Sequence, residues 1–143
     1  MSDALLAPDS SVLIAGYDLD HAFHAEAERA LAAVRRSGVL IAHTMAESFA
    51  VLTGGPYVAN PDVVLTYLGQ FQAEPVAGIR PDEYPSRLRE LAAAGIGGGA
   101  LYDGLIALGA RGAGATLASL DHRAAPTYER CGVEFRLLDA SGG

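Results

Sequence analysis

The chain has 143 residues and a formal net charge of −7, and half of its residues are apolar. This length fits one domain with a substantial hydrophobic core. The acidic balance argues against phosphate binding by charge alone, and the single Cys131 excludes an internal disulfide and a site built from several thiolates. No apolar run approaches the roughly 20 residues that cross a bilayer, and the first residues lack the basic region of a signal peptide. We therefore expect one cytoplasmic domain over residues 1–143.

The first half of the chain predicts buried strands that alternate with helices. Short apolar runs predict strands at 5–7 and 39–42. Asp20 is the predicted N-cap of a helix whose apolar residues recur at helical spacing. Thr44 and Glu47 have the spacing of a capping box, so a helix is expected to begin there. The helices of this half are expected from Ser10, from Asp20 to about Arg36, from Thr44 to about Leu52, and at 62–72 behind Asn60 and Pro61.

The second half continues the alternation around a glycine-rich loop at 95–99. A weak strand is expected at 75–77, and a helix is expected from Pro81 to about Ala94, where Gly95 ends it. The glycine loop leads into an apolar helix whose first turns contain Asp103. A strand at 115–120, a helix at 122–130 closed by Gly132, and a strand at 133–138 follow.

Strands that alternate with helices predict an α/β sandwich with a mostly parallel central sheet. The predicted strands are apolar throughout instead of alternating between apolar and polar residues. Such strands are typical of a sheet that is covered by helices on both faces. The expected architecture is therefore a three-layer α/β/α sandwich.

Four acidic residues occupy one kind of position in this predicted fold. Asp9 and Asp121 directly follow strands. Glu47 lies at a helix start just after the second strand, and Asp103 lies in the first turns of the helix after the glycine loop. Because strand ends and the following helix starts share one edge of a parallel sheet, these side chains can converge there. Clustered carboxylates repel one another, and a hard divalent cation relieves that repulsion.

Each carboxylate also has a purely structural interpretation. Acidic side chains favour helix N-termini because they accept hydrogen bonds from free backbone N–H groups. Asp9 and Asp121 can be caps, Glu47 can be the partner of Thr44, and Asp103 lies in a first turn. The hypothesis of a metal site therefore depends on all four residues together, and on the apolar neighbours of Asp103.

Four ordered segments resemble the motifs of PIN-domain nucleases, and among these the VapC toxins of bacterial toxin–antitoxin pairs. The order, the spacing and the total length all fit this family, and the segments span most of the chain. They are residues 8–15 (PDSSVLIA), 46–54 (AESFAVLTG), 97–110 (GGGALYDGLIALGA) and 118–123 (ASLDHR).

The resemblance implies a PIN-like fold and a Mg²⁺- or Mn²⁺-dependent endoribonuclease. It implies that Asp9, Glu47, Asp103 and Asp121 hold the metal and orient the attacking water, and that the Ser119 hydroxyl supports the site. It also implies a homodimer, an RNA substrate, and a small antitoxin that inhibits the enzyme by placing its C-terminal tail in the acidic groove.

Two other functions stay open from the residues alone. One is a catalytically silent interaction module of the same fold, which needs no metal. The other is a different metal-dependent phosphoesterase built on converging carboxylates. His43 and His122 lie near the proposed edge and are candidates for substrate contacts, although a lone histidine is more often a packing or capping residue. Five arginines are candidates for contacts with RNA phosphates, although each is at least as compatible with a solvated helix surface: Arg35, Arg36, Arg87, Arg89 and Arg123.

Overall fold

A parallel sheet organises the chain in the computed structural model, which describes residues 5–72 and 76–138. Its strands are β1 (Leu6–Pro8), β2 (Thr116–Ser119) and β3 (Phe135–Leu137), in the order β1-β2-β3. Leu6 pairs with Thr116, and Leu117 pairs with Phe135. Because β2 is the central strand, the residues that follow β1 and β2 lie side by side at one edge of the sheet.

Helices fill the connections between these strands, as expected for parallel pairing. A short 3-10 helix at Pro81–Glu83 leads directly into the fifth α-helix. The α-helices of the described residues are α1 (Ser10–Tyr17), α2 (His24–Ser37), α3 (Ala42–Thr53), α4 (Pro61–Gly69), α5 (Tyr84–Ala93), α6 (Ala100–Gly112) and α7 (Ala125–Cys131).

The sheet separates two hydrophobic cores, and neighbouring strand residues alternate between them. Leu6 packs into the core formed with α1, α2 and α4, whereas Ala7 packs into the core formed with α5, α6 and α7. On β2, Ala118 and Leu117 show the same division. The predicted three-layer α/β/α sandwich with a parallel sheet is therefore confirmed.

The predicted strand at 39–42 is reduced to an extended segment beside β1. The Val39 N–H donates to the Leu6 carbonyl at 3.0 Å, and Ile41 forms an isolated parallel bridge with Ala77. The segment is short because α3 already begins at Ala42. Of the weak strand predicted at 75–77, Ala77 forms this bridge, and position 75 lies outside the described residues.

The prediction that Asp20 caps a helix is wrong. Helix α2 begins at His24, and its N-cap, Phe23, makes no side-chain capping bond. The Asp20 backbone N–H instead donates to the Asp18 carboxylate at 3.0 Å. Asp18 and Asp20 therefore form a local turn, and Asp20 does not start a helix. The Asn60 cap of α4 is confirmed, because its side chain accepts from the Asp62 and Val63 N–H groups.

The helices of the described residues are all too short or too polar to cross a membrane. This finding agrees with the absence of a long apolar run in the sequence.

Candidate active site

Asp9 lies directly after β1, where it caps α1 and is almost fully buried, with 2% of its surface exposed. Its Oδ2 accepts a hydrogen bond from the Tyr128 hydroxyl at 2.7 Å. Its Oδ1 accepts from the Ser11 hydroxyl and, at 3.4 Å, from the Val12 N–H. Burial raises the pKa of Asp9, although hydrogen bonds from Ser11, Ser119, Tyr128 and Val12 oppose that shift. Asp9 therefore both caps α1 and belongs to the candidate site.

Glu47 lies in the second turn of α3 and not at its start, so the predicted capping box is wrong. Helix α3 begins at Ala42 behind Ile41, and no side chain caps it. Thr44 is buried, and its hydroxyl lacks a hydrogen-bond partner among the described residues. Glu47 instead accepts a hydrogen bond from the Ser10 hydroxyl, next to Asp9. The structural interpretation of Glu47 as a cap is thereby removed.

Asp103 lies in the first turn of α6, half-buried at the same edge of the sheet. Burial is the largest cause that raises its pKa to about 6, and repulsion from Glu47, Asp121 and Asp9 adds to the shift. Glu47, Asp121 and Asp9 therefore each lie near Asp103. Convergence of residues far apart in the sequence is what the parallel sheet predicted.

Asp121 lies in a turn after β2 and does not cap a helix. The helix predicted from 122 begins only at Ala125, because residues 121–124 form turns that the Asp121 side chain stabilises. Its Oδ1 accepts from the Arg123 N–H at 2.9 Å. The fully buried Ser119 accepts from the Asp121 N–H at 3.0 Å. Ser119 thus links Asp121 to the buried Asp9.

Apart from Ser119, sequence reasoning missed the hydroxyl groups that fix the carboxylates, namely those of Ser10, Ser11 and Tyr128. Ser10 and Ser11 follow Asp9 immediately, and Ser11 also accepts from the Leu120 N–H at 2.9 Å. Tyr128 is 1% exposed on α7. A buried tyrosine usually has a hydrogen-bond partner for its hydroxyl, so Tyr128 was the residue in the sequence that could have indicated such a bond. The identity of that partner, Asp9, required the folded structure.

A divalent cation suits the chemistry of this group of side chains. Carboxylate and hydroxyl oxygens are the ligands that Mg²⁺ and Mn²⁺ prefer. The pKa of Asp103 is raised mainly by burial and further by repulsion from three nearby carboxylates, which a cation would relieve. Within residues 5–72 and 76–138, no three His, Cys, Asp or Glu side chains are already arranged as ligands of one ion. The side chains fit a cation by type and charge, and the metal itself belongs to the proposal below.

A parallel sheet between two helical layers, with acidic side chains near the strand ends, is the arrangement expected of a PIN-like fold. The fold is similar to that of FitAcB from Neisseria gonorrhoeae, with a TM-score of 0.63 and 18% identity over 92% of this chain and 96% of that chain.

Two ribonucleases of Mycobacterium tuberculosis are similar in sequence to most of the chain. Ribonuclease VapC40 is 38% identical over 136 residues, which cover 94% of this chain and 99% of that protein. Ribonuclease VapC27 is 37% identical over 131 residues, which cover 90% and 93%. The chain therefore belongs to the VapC ribonuclease family. No protein-family model matches it.

Proposed function

We propose that the chain is a divalent-metal-dependent endoribonuclease that acts as the toxin of a toxin–antitoxin pair. The observation that carries the proposal is the convergence of Asp9, Glu47, Asp103 and Asp121 at one sheet edge. Membership in a ribonuclease family over nearly the whole chain supports hydrolysis of RNA. A silent module of this fold would gain nothing from four carboxylates that repel one another.

The four carboxylates are the proposed ligands of Mg²⁺ or Mn²⁺. When bound, the cation supplies positive charge to a phosphoryl oxygen and to the attacking water. The chain holds two of its carboxylates in place beforehand. Tyr128 and Ser11 orient Asp9, and Ser10 orients Glu47. Because these side chains are already oriented, less conformational entropy is lost when metal and substrate bind.

The proposed partners follow from charge and from the family. A basic C-terminal tail of an antitoxin suits an acidic groove, since complementary charges favour that orientation. A homodimer is part of the same proposal. Exposed apolar side chains such as Val63 and Leu65, which are 53% and 47% exposed on α4, offer surface to either protein partner.

Expression of the chain alone in bacteria is expected to arrest growth, and Asp121→Asn is expected to relieve the arrest. The amide oxygen of Asn can still accept from the Arg123 N–H, so the turn survives while the charge is lost. Growth curves after induction measure the effect. Coexpression with the cognate antitoxin is expected to restore growth of the wild-type strain.

Asp20→Asn is the matched control, because Asp20 is exposed and lies beyond the C-terminal end of α1, whereas Asp9 lies at its N-terminal end. It should arrest growth like the wild type. Unimpaired growth at confirmed soluble levels of wild-type protein would support the silent module. Hydrolysis of a small phosphoester, with RNA left intact in vitro, would support the other phosphoesterase.

Glu47→Gln is expected to lower RNA cleavage and metal affinity without destabilising the metal-free protein. The amide oxygen can keep the hydrogen bond from Ser10, and loss of the charge reduces repulsion at Asp103. Loss of a residue that only hydrogen-bonds to a metal ligand typically lowers metal affinity or activity about 10- to 100-fold. Loss of the charge of a ligand itself is therefore expected to lower both by at least ~100-fold. Cleavage assays and manganese titrations measure both quantities.

Glu47→Ala separates charge from hydrogen bonding. It loses the Ser10 bond, but α3 has no side-chain cap that it could also lose. Its stability should therefore fall by no more than about 1.5–3 kcal/mol, the usual contribution of a hydrogen bond to a charged group. Wild-type cleavage by the Gln variant would remove Glu47 from the proposed metal site and leave the three aspartates.

A further inference from the structure

Two aromatic side chains form a stacked pair across the α3–α6 contact. The rings of His43 on α3 and Tyr102 on α6 are nearly parallel, with 3° between their planes and 5.4 Å between their centroids. This is the offset stacking that aromatic pairs prefer. Tyr102 is nonetheless 52% exposed, and His43 is only half-buried. The pair therefore presents aromatic surface to solvent.

Helix geometry places the pair near Glu47. Tyr102 immediately precedes Asp103 in α6. His43 lies four residues before Glu47 in α3, and residues with this spacing share one face of a helix. A phosphate at the carboxylates would therefore place a neighbouring nucleotide within the region of the two rings.

The chain's own charges offer little attraction for RNA outside the proposed metal site. The net charge is −7, and the four carboxylates add local repulsion of phosphates. Four of the ten arginines are also engaged with carboxylates of the chain: Arg35, Arg80, Arg87 and Arg111. Stacking of bases on aromatic rings contributes affinity that does not depend on net charge, and it tolerates different sequences.

We infer that His43 and Tyr102 form a stacking platform for a nucleobase beside the phosphate that is cleaved. The inference rests on the proposed ribonuclease function and adds a binding subsite for unpaired RNA. Single-stranded RNA is commonly recognised through bases stacked on tyrosine and histidine. A recess of about 30 Å³ beside the pair is lined by His43, Tyr84 and Leu105 and has room for little more than a water molecule. A base is too large to enter this recess, so it would lie on the exposed surface of the rings.

The test is a binding measurement with a short, single-stranded oligoribonucleotide that carries 2-aminopurine and is made uncleavable at the target bond. Tyr102→Leu is expected to weaken binding about 5- to 100-fold, in keeping with the contribution of one stacked base. Stacking quenches 2-aminopurine fluorescence, and this quenching should be lost in the variant. Tyr102→Phe keeps the ring and should behave like the wild type.

An abasic version of the same RNA makes the test specific for a base. Removal of the stacked base should weaken binding to the wild type, and Tyr102→Leu should then cause no further loss. Leu19→Ala, which removes an exposed apolar side chain just beyond the C-terminal end of α1, should leave binding unchanged. Circular dichroism of each variant checks that the fold is retained.

Each other outcome overturns the inference in a recognisable way. If the wild type cleaves RNA and Tyr102→Leu binds and cleaves equally well, the platform is wrong and the proposed function stands. If Tyr102→Leu changes only dimerisation or antitoxin binding, the pair is a protein contact. If the wild type neither binds nor cleaves RNA, the proposed function and the platform both fail.

Discussion

Asp103→Asn is expected to lower RNA cleavage strongly and, without metal, to stabilise the protein at neutral pH. The variant keeps the size of the side chain but loses a charge that three carboxylates repel. As a proposed metal ligand, Asp103 should contribute at least as much to activity as residues that only hydrogen-bond to the ligands at other metal sites. The loss is therefore expected to be at least ~100-fold.

The pH dependence of the stability gain has a definite sign. The ordinary pKa of 3.8 applies to unfolded Asp103, whereas in the folded protein the pKa is about 6. Between these values the folded state binds more protons than the unfolded state, so wild-type stability falls as pH rises. Asn does not titrate. The advantage of the variant should therefore be full above about pH 6 and disappear below about pH 4.

Thermal melts in a chelator across this pH range measure the stability difference, and the same melts with manganese measure metal binding. Metal that binds only the folded state raises the melting temperature of the wild type as its concentration increases. This rise should be much smaller for Asp103→Asn. Asp20→Asn should match the wild type in every melt. Equal manganese shifts for the wild type and Asp103→Asn would remove Asp103 from the site.

Tyr128→Phe is expected to destabilise the folded protein by about 1.5–3 kcal/mol, the usual contribution of a hydrogen bond to a charged group. The hydroxyl donates to Asp9, which is buried and has few alternative donors for Oδ2. For a domain of this size, each kcal/mol lowers the melting temperature by about 2–4 °C. Cleavage should also fall by about 10- to 100-fold, because Tyr128 orients a proposed ligand.

Tyr84→Phe is the matched control, since Tyr84 is 37% exposed and its removal leaves no buried carboxylate without a donor. Thermal melts and RNA cleavage by both variants are the measurements. If Tyr128→Phe retains wild-type stability and activity, then Ser11 and the Val12 N–H suffice to hold Asp9.

The sequence allowed the fold class and the meeting place of the carboxylates to be predicted, because both follow from period and order along the chain. Apolar strands that alternate with helices indicate a parallel sheet. That sheet places Asp9 and Asp121 at one edge. Family resemblance was needed to assign ribonuclease activity to that edge, since converging carboxylates also suit other phosphoesterases.

The errors arose where a local cap pattern competed with a tertiary contact. Thr44 and Glu47 have capping-box spacing, yet the bridge at Ile41 ends just before α3 and moves the helix start to Ala42. The bond from Tyr128 to Asp9 joins residues 119 positions apart. No periodic pattern encodes a contact of that kind, so only the folded chain could show it.

The division of the protein into two cores has a consequence for proteolysis. Asp9 stands before α1, which packs into one core, whereas Asp103 is carried by α6, which packs into the other. A fragment that retained a single helical layer would carry an incomplete set of carboxylates. A cut between the layers would therefore inactivate the proposed site only if the two fragments also came apart, and each fragment could keep its helices when they did.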